Sequence, residues 1–317
     1  MHSRNFDTPH QLTSVLIPLY NHALYIEECL DSILAQGPEN IELILIDDGS
    51  SDDGFTVASA WKEKHGHRFA RVEFERQLNA GITTTFDRLI RRSTGSAIMI
   101  VASDDVLLPE SISKRLKLLY QPGVTAVFGD AIPIDGESRV TGKSAIAELG
   151  RPSSRAALTD IRTLPWELIF RWNVYGSVLI CRREALLNPD GSSVLNLEIF
   201  CEDMQLYYSL SSKGTLRYFN EPVAQYRVHG SNTCFSEANI AKLRKSGYEA
   251  QRYAMLTMPK WRRAVVAMQA FKFHRWDKRL RGRLIFPLVA GAHVGVLIAR
   301  SLYDFYRTRV LKQTREM

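Results

Sequence analysis

The sequence predicts an α/β fold in which a Rossmann-like, mostly parallel sheet is flanked by helices, and three observations support this prediction. Strand and helix patterns alternate four times within about a hundred residues, which is typical of parallel sheets with right-handed crossovers. Several of the strand patterns are almost entirely apolar, as expected of strands covered on both faces. Two strand patterns end in adjacent carboxylates, Asp47-Asp48 and Asp104-Asp105, at the ends where such sheets bind ligands.

The predicted elements follow one another from residue 14 onward. Strand patterns lie at residues 14–17, 41–46, 71–74 and 97–101, and helical patterns lie between them at 26–34, 57–61 and 86–90. Gly37-Pro38 is typical of a helix end, and Pro109 is well placed to begin a helix after the fourth strand. From residue 239 onward, helix formers, basic residues and large aromatics predict a C-terminal helical appendage.

Length and charge limit the classes of protein to consider. A chain of 317 residues, 45% hydrophobic and 24% charged, can form one large domain with an appendage. The net charge of +7 is uneven, since residues 241–317 contain 18 basic and 4 acidic side chains and residues 1–240 carry a net charge of −7. The acidic body, and the lack of a known DNA- or RNA-binding motif, argue against a nucleic-acid-binding protein.

The cysteines and the N-terminus point to an intracellular protein. Cys29, Cys181, Cys201 and Cys234 form no C-x-x-C pair and show no histidine spacing typical of a zinc site, so reduced thiols are expected. The first eleven residues lack the apolar segment of a secretory signal. We therefore expect a cytoplasmic location.

Neither of two common glycine-rich phosphate-binding motifs is present. The turn after the first strand, Pro18-Leu19-Tyr20-Asn21, lacks the glycines of a dinucleotide-binding domain, and no P-loop sequence occurs. Bare aspartates would repel a phosphate, so a divalent cation is expected between them. Oxygen ligands suit Mn²⁺ or Mg²⁺. Taken alone, Asp104-Asp105 is more typical of a solvated turn, and the metal interpretation depends on the rest of the chain.

Five short motifs occur in order and together resemble a known signature. They are Val15-Leu16-Ile17-Pro18-Leu19-Tyr20-Asn21, Leu45-Ile46-Asp47-Asp48-Gly49-Ser50-Ser51-Asp52, Asn79-Ala80-Gly81, Ser103-Asp104-Asp105 through Pro109, and Glu202-Asp203. The set resembles family 2 glycosyltransferases, which have the GT-A fold and use nucleotide-diphosphate sugars. One departure is Ala102, where many relatives carry an aspartate, and it puts metal affinity and metal choice in question.

The resemblance runs from about Ser14 to Thr233 and implies a domain organisation. A GT-A catalytic domain is expected over residues 1–235, with a nucleotide-sugar half at about 12–130 and an acceptor half at about 131–235. A basic, helical region is expected over 236–317. The first alternative is a nucleotidyltransferase, which shares the sheet and the metal. Leu19-Tyr20-Asn21-His22 lacks the glycines and the basic side chain that its first loop would need.

On the donor side, the resemblance assigns three residues to the nucleotide base and ribose: Pro18, Tyr20 and Asp48. A carboxylate can accept a hydrogen bond from a base N–H or a ribose hydroxyl, which gives Asp48 a physical reason for its place. Asp47 is expected either to contact the nucleotide sugar or to form the turn or cap before Gly49, and the two roles are equal alternatives. The resemblance further assigns to nucleotide-sugar binding Asn21, Asn79, Gly81, Asp104, Arg227 and His229.

The metal and phosphate contacts are also implied by the resemblance. Asp105 is expected to be the metal ligand, with Asp104 as its ribose-binding or outer partner, and the reverse order is open. The cation is expected to be Mn²⁺ or Mg²⁺. Arg227 and His229 are expected to donate to phosphate oxygens, although a single histidine is more often structural.

On the acceptor side, the resemblance makes Asp203 the candidate general base. The residue lies near the start of a predicted helix, where an aspartate would otherwise be favoured for capping alone. A carboxylate in reach of an acceptor hydroxyl takes its proton as the new bond forms, and this single displacement inverts the anomeric centre. The acceptor pocket is expected to include Trp172, Asn173, Tyr175 and Glu202, although at least half of the aromatics nearby are expected to fill the core.

The basic tail leaves two interpretations open. Leu284 to Ala299 is apolar but has only 16 residues, fewer than the roughly 18 to 20 that a membrane-spanning helix needs. The tail could pack on the catalytic domain or on a second copy, as in a homo-oligomer, or it could lie on an anionic membrane at the inner face of the plasma membrane. The expected partners are a nucleotide sugar and a saccharide or lipid-linked saccharide, in bacterial polysaccharide or glycolipid synthesis, with no nucleic acid.

Overall fold

The two apolar strand patterns nearest the N-terminus lie inside the sheet in a computed structural model of the chain. The structure describes residues 11–149, 153–172, 174–230, 232, 237–255, 299–304 and 306–307. Every residue of strands β1 (Thr13–Leu19) and β2 (Ile41–Asp47) is buried, as expected for apolar runs covered on both faces.

The elements predicted between residues 14 and 101 are present, close to where the sequence patterns place them. The remaining strands are β3 (Arg71–Arg76), β4 (Ala97–Ile100), β5 (Val106–Leu107), β6 (Ala126–Ile134), β7 (Leu179–Arg182) and β8 (Leu216–Arg227). The α-helices are α1 (Ile26–Leu34), α2 (Gly54–His65), α3 (Ile82–Arg92), α4 (Ser111–Leu119), α5 (Ala145–Glu148), α6 (Arg155–Thr159), α7 (Leu164–Arg171), α8 (Glu202–Ser212) and α9 (Glu237–Met255). Short 3-10 turns lie at Pro38–Asn40, Gly66–Arg68 and Arg183–Ala185.

The described strands form one eight-stranded mixed sheet with the order β3-β2-β1-β4-β7-β6-β8-β5. The pairs β3/β2, β2/β1, β1/β4 and β6/β8 are parallel, and the three pairs β4/β7, β7/β6 and β8/β5 are antiparallel. Strand β7 reverses direction between β4 and β6, so the four-fold alternation read from the sequence ends at β4. The α/β prediction with a mostly parallel sheet is confirmed.

Helices cover the sheet with their apolar faces. Helix α1 buries Ile26, Cys29, Leu30 and Ile33, the residues whose spacing predicts it. Helix α3 buries Phe86, Leu89 and Ile90 in the same way. The described cysteines Cys29, Cys181 and Cys201 are buried free thiols, and Cys234 lies outside the described residues.

Two parts of the C-terminal region lie against the body. Helix α9 packs against α8, and its Ser246 Oγ accepts a hydrogen bond from Cys201 N over 2.8 Å. The helical residues 299–304 contact α7, where the ring of Tyr303 lies 5.5 Å from that of Phe170. No helix in the described part of the chain is both long enough and apolar enough to span a bilayer.

Much of the tail that the sequence singles out lies outside the described residues. This includes nearly all of the apolar segment from Leu284 to Ala299 and the basic side chains just before it, Arg279, Arg281 and Arg283. The contacts of α9 and of Tyr303 agree with the interpretation that the tail packs on the catalytic domain. The membrane interpretation stays a prediction.

Candidate functional site

Five strand ends meet at one edge of the sheet. Strands β1, β2 and β4 are parallel, and because β7 is antiparallel to both β4 and β6, strands β6 and β8 run in that same direction. The motifs after β1, after β2, after β4 and after β8 therefore lie at this edge, and so does the residue before β7. Sequence motifs that are up to two hundred residues apart are thus brought together.

The Asp48 carboxylate organises the loop that follows β3. Its Oδ1 accepts hydrogen bonds from Gln77 Nε2 at 2.8 Å and from Ala80 N at 2.7 Å, and its Oδ2 accepts one from Gly81 N at 2.9 Å. Asn79, in the middle of this loop, is exposed. Three predicted donor-site residues, Asp48, Asn79 and Gly81, are therefore in one structural unit.

Asp47 closes its own turn. Its Oδ1 accepts a hydrogen bond from Ser50 N at 3.2 Å and another from the Ser50 hydroxyl, and its Oδ2 lies 3.0 Å from Arg76 Nε. The side chain is fully buried. Of the two roles that the sequence allowed for Asp47, this geometry favours the turn-forming one.

The turn after β1 is joined to the turn after β2. Asn21 has a left-handed backbone conformation (φ 54°), its N donates to Ser50 Oγ at 2.9 Å, and its Oδ1 accepts from Ser51 N at 2.8 Å. Tyr20 is 48% exposed beside this turn, whereas Pro18 is buried within β1. Tyr20 and Asn21 are thus both exposed at this turn, and the Tyr20 ring is the apolar surface that it presents to a ligand.

Asp105 is a buried anchor. Its Oδ2 accepts hydrogen bonds from Ser177 N at 2.9 Å and Ser177 Oγ at 2.8 Å, and its Oδ1 accepts one from Arg227 N at 3.1 Å. Burial, and then the neighbouring charge of Asp104, raises the pKa of Asp105 to about 8. Both oxygens already have protein partners, so Asp105 joins the ends of β7 and β8 and is poorly placed to bind a metal.

Arg227 is fully buried and has protein partners throughout its guanidinium group. Its Nε donates to the Asp104 carbonyl at 2.7 Å, its Nη1 donates to Ser138 Oγ at 2.8 Å, and its Nη2 pairs with Glu28. The guanidinium also lies 4.7 Å from the centre of the Tyr25 ring. The expected donation to phosphate is not what this geometry offers, because the group is turned into the protein. Arg227 positions the loop that carries Asp104.

Asp104 faces two histidines. Its Oδ2 lies 3.0 Å from His229 Nε2, 3.4 Å from Asn232 Nδ2 and 3.9 Å from His22 Nε2. Burial opposes ionisation of Asp104, but the hydrogen bond with His229 and the nearby His22 outweigh it and lower its pKa. For the metal ligand, the geometry favours the reverse order of the two aspartates, with Asp104 as the ligand.

These side chains suit a divalent cation. One ligand atom from each of His22, Asp104 and His229 lies within 4.8 Å of the others. A carboxylate oxygen and imidazole nitrogens are donors that Mn²⁺ accepts, so Asp104 and His229 fit the cation expected from the sequence. Burial lowers the pKa of His22, so its imidazole is neutral at neutral pH.

Asp203 lies in the first turn of α8, with an exposed side chain. Cys201 occupies the N-cap position, so Asp203 is not the capping residue, and its Oδ1 accepts a hydrogen bond from Met204 N at 2.6 Å. The surrounding protein weakens its hydration and raises the pKa of Asp203 to about 6. Burial, and then the charge of Asp203, raises the pKa of the neighbouring Glu202 well above its usual range.

A hydrogen bond connects the start of α8 with the donor loop. Thr83 Oγ1, two residues beyond Gly81, donates to the carbonyl of Ile199 over 2.8 Å. Since Gly81 N donates to Asp48, one short path of contacts leads from Asp48 to the segment just before Asp203. The predicted nucleotide residue and the predicted base therefore belong to neighbouring parts of the same edge.

The predicted acceptor aromatics divide between core and edge. Trp166, which lies just before the predicted pocket residues, stacks on Phe170 at 5.9 Å and fills the core, as expected for at least half of the aromatics in this segment. Trp172 is partly buried and packs on α8, 5.7 Å from Tyr207. The ring centre of Tyr175 lies 5.6 Å from that of Tyr226. Asn173, also predicted for this pocket, lies outside the described residues.

Sequence reasoning missed two residues of the site. Ser177 holds Asp105, and its Oγ also accepts a hydrogen bond from Ala102 N at 2.8 Å. His22 approaches Asp104, but the two are 82 positions apart in the chain, so no local metal-ligand spacing exists to identify it. The available signal was its place directly after the turn that ends β1.

The sequence and the structure are each similar to those of known proteins. The family model of glycosyl transferase family 2 matches residues 14–186. A glycosyltransferase from Nostoc sp. is 24% identical over 241 residues, which cover 75% of this chain and 71% of the relative. It is one of several similar sequences named as glycosyltransferases.

Two solved structures show the fold. Staphylococcus aureus TarS 1–349 in complex with UDP-GlcNAc superposes with a TM-score of 0.59 at 16% identity, covering 89% of this chain and 79% of that one. The mannosyltransferase PcManGT from Pyrobaculum calidifontis, in complex with GDP-Man and Mn²⁺, gives 0.58 at 17% identity, covering 95% and 84%. The GT-A fold expected from the sequence is thereby confirmed.

Proposed function

Since the chain belongs to glycosyltransferase family 2, we propose that it moves a sugar from a nucleotide-diphosphate sugar to an acceptor hydroxyl, with a divalent cation and with inversion at the anomeric carbon. One observation carries the proposal. Asp48, Asp104 and the start of α8 all lie at the carboxyl edge of the sheet, and a short path of hydrogen bonds leads from Asp48 to the segment before Asp203.

On the donor side, the turn after β1 and the loop from Gln77 to Gly81 are proposed to hold the nucleotide. Tyr20 is exposed and offers a ring for the base, and Asp48 keeps the loop folded beside it. The GDP-Man complex of PcManGT and the UDP-GlcNAc complex of TarS support a nucleotide sugar without deciding between uridine and guanosine.

Asp104 and His229 are proposed to hold the cation, Mn²⁺ or Mg²⁺, next to the diphosphate. When bound, the cation neutralises charge on the departing diphosphate. Asp105 and Arg227 contribute by fixing the loop that carries Asp104. The presence of Mn²⁺ in the PcManGT complex supports this assignment.

On the acceptor side, Asp203 is proposed to be the general base. With a pKa of about 6, most of this carboxylate is ionised at pH 7, and its exposed side chain can reach an incoming hydroxyl. The proton moves from the hydroxyl to Asp203 as the oxygen attacks the anomeric carbon. Attack opposite the leaving diphosphate gives inversion. Trp172, Tyr175 and Glu202 are proposed to shape the acceptor's surroundings.

The acceptor is proposed to be a saccharide or a lipid-linked saccharide in bacterial polysaccharide or glycolipid synthesis. The basic tail is proposed to bring the catalytic domain of residues 1–235 to an anionic membrane surface. The full chain should then pellet with phosphatidylglycerol vesicles more than with phosphatidylcholine vesicles. Replacing Arg279, Arg281 and Arg283 by glutamate should abolish the difference. Equal pelleting of the unaltered chain with both vesicles would contradict membrane contact.

A thermal-shift panel of UDP-, GDP-, dTDP- and CDP-sugars, with and without Mn²⁺, tests the donor proposal. A donor at 100 times its dissociation constant stabilises the fold by about 2.7 kcal/mol, enough for a clear shift in melting temperature. We expect the sugars of one nucleotide to raise the melting temperature, and to raise it more in the presence of Mn²⁺. A panel with no shift in any series would contradict the donor proposal. NMR of the product should show the anomeric configuration opposite to that of the donor.

A further inference from the structure

The motif that carries the proposed metal site lacks one expected ligand. Where many relatives have an aspartate, this chain has Ala102, whose methyl side chain cannot bind a cation. The backbone N of Ala102 is bound to Ser177 Oγ at 2.8 Å. Asp104 and His229 thus remain from this part of the site, and the structure contains a further donor close to them.

That donor is His22, in the turn after β1. Its Nδ1 lies 2.8 Å from Ser103 Oγ, and its Nε2 lies 3.9 Å from Asp104 Oδ2. When Nδ1 donates its proton to the serine, Nε2 is unprotonated and keeps a lone pair that can bind a cation beside the carboxylate. A metal-binding histidine usually makes such a bond to an oxygen through its second ring nitrogen. Ser103, the residue between Ala102 and Asp104, is therefore well placed to orient His22.

The spacing of the donor atoms agrees with one shared cation. His22, Asp104 and His229 each offer an atom within 4.8 Å of the others. Ligands bound about 2.1 Å from a metal lie roughly 3 Å apart when they are at right angles, so closing the site needs shifts of about 1 to 2 Å. The His22 side chain is 20% exposed and borders Tyr25 and His229, with ring centres at 5.9 and 5.7 Å, which leaves room for such a shift.

We propose that His22 is a third protein ligand of the cation, in place of the aspartate that Ala102 replaces. The proposal rests on the proposed function and gives its metal site a donor set of two imidazoles and one carboxylate. Imidazole suits transition metals, whereas Mg²⁺ prefers oxygen. The site should therefore favour Mn²⁺ and Co²⁺ over Mg²⁺ more strongly than the oxygen ligands expected from the sequence would.

Metal binding by the full chain tests this directly. The affinity for Mn²⁺ is obtained by titration, with the free ion measured by its paramagnetic resonance signal. His22→Ala should bind Mn²⁺ at least about tenfold more weakly than the unaltered chain, and its affinity for Mg²⁺, measured by competition, should change less. His67→Ala is the matched control, since this exposed histidine lies on the turn after α2 and should leave both affinities unchanged. NMR of the Co²⁺-loaded protein should show one hyperfine-shifted, exchangeable imidazole proton fewer in His22→Ala.

The outcomes separate this proposal from the function it rests on. If His22→Ala binds Mn²⁺ like the unaltered chain while Asp104→Asn does not, His22 is not a ligand and the proposed transferase keeps its metal. If Asp104→Asn and His229→Ala both bind Mn²⁺ normally, the metal site of the proposed function is itself wrong. If His22→Ala lowers the melting temperature, His22→Gln is compared at saturating Co²⁺. An unchanged set of imidazole signals there would overturn the proposal.

Discussion

Arg227 donates its backbone N–H to the Oδ1 of Asp105 over 3.1 Å, which joins the end of β8 to the loop after β4. The Arg227 side chain also donates to the carbonyl of the preceding Asp104. Both Arg227 and Asp105 are fully buried. Two groups that the sequence suggested as direct ligand contacts therefore form a scaffold, and Asp104 is the member of the set that faces the histidines.

Ser177→Ala should destabilise the protein by about 1–3 kcal/mol. The change removes the hydroxyl that donates to Asp105 Oδ2, and it leaves Ala102 N without its acceptor. Both partners are inside the protein, so water cannot replace the lost bonds at low cost. Urea unfolding measures the effect. The control is Ser113→Ala, at an exposed position of α4, which should change stability by less than about 0.5 kcal/mol. An equal effect of both would contradict the scaffold.

Asp104→Asn should remove Mn²⁺-dependent nucleotide binding and leave the fold intact. The amide keeps the shape of the side chain but lacks the charge that binds a cation. Calorimetric titration with UDP and with GDP, each with and without Mn²⁺, measures the effect. Asp105→Asn is the contrast, since its amide would face the donors of Ser177 and Arg227 and should cost about 1–3 kcal/mol of stability. A stably folded Asp105→Asn that loses the Mn²⁺ effect, beside a normal Asp104→Asn, would reverse the assignment.

The sequence was sufficient to predict the elements around which the fold is built. Apolar runs such as 41–46 and 97–101 are typical of strands covered on both sides, and β2 and β4 lie there. The carboxylates at the ends of these strands were therefore assigned to the correct edge. Strands β5 to β8 were not predicted, and the four residues of β7, for example, carry no period that separates a strand from a short buried segment.

The role of each residue at this edge of the sheet depends on contacts between distant parts of the chain, which a local sequence pattern does not encode. Asp104 and Asp105 are adjacent and chemically identical, and only the partners supplied by Ser177, Arg227 and His229 distinguish the anchor from the open carboxylate. His22 illustrates the same limit. His22 belongs to no local metal-ligand motif, and its partner Ser103 is 81 positions away.

Tyr303→Phe should destabilise the protein by about 1–2 kcal/mol, because the C-terminal segment is docked on α7. The Tyr303 hydroxyl donates to the buried Glu167, and its ring packs against Phe170. Tyr306→Phe is a matched control, since Tyr306 is 43% exposed, and its loss should have little effect. Thermal and urea unfolding of both variants give the comparison. Equal stability of the two would mean that residues 299–307 do not dock on α7 in solution.

Asp203→Asn should retain donor binding and lose most transfer activity. An amide cannot take the proton of the acceptor hydroxyl, and removal of a general base typically costs about 10²–10⁴-fold in rate. Nucleotide release from the donor found in the thermal-shift panel measures the rate, and calorimetry measures binding. Glu202→Gln, in the adjacent position, should keep a much larger share of the activity. The base assignment would fail if Glu202→Gln lost activity and Asp203→Asn kept it.

The transfer rate should rise with pH as Asp203 ionises, and this rising limb of the pH–rate profile should be set by the pKa of Asp203. A general base works in its ionised form, and desolvation by the surrounding protein raises the pKa of Asp203 from 3.8 to about 6. At saturating donor and Mn²⁺, kcat should fall about tenfold per pH unit below 6 and level off above it. Glu202→Gln should leave this pH dependence in place, because the group that titrates along it is Asp203. Stopped assays between pH 4.5 and 8, with donor binding measured at each pH, give the profile. A limb near pH 4 would mean that Asp203 is as hydrated as a surface aspartate, and an unchanged limb in Asp203→Asn would assign it to another group.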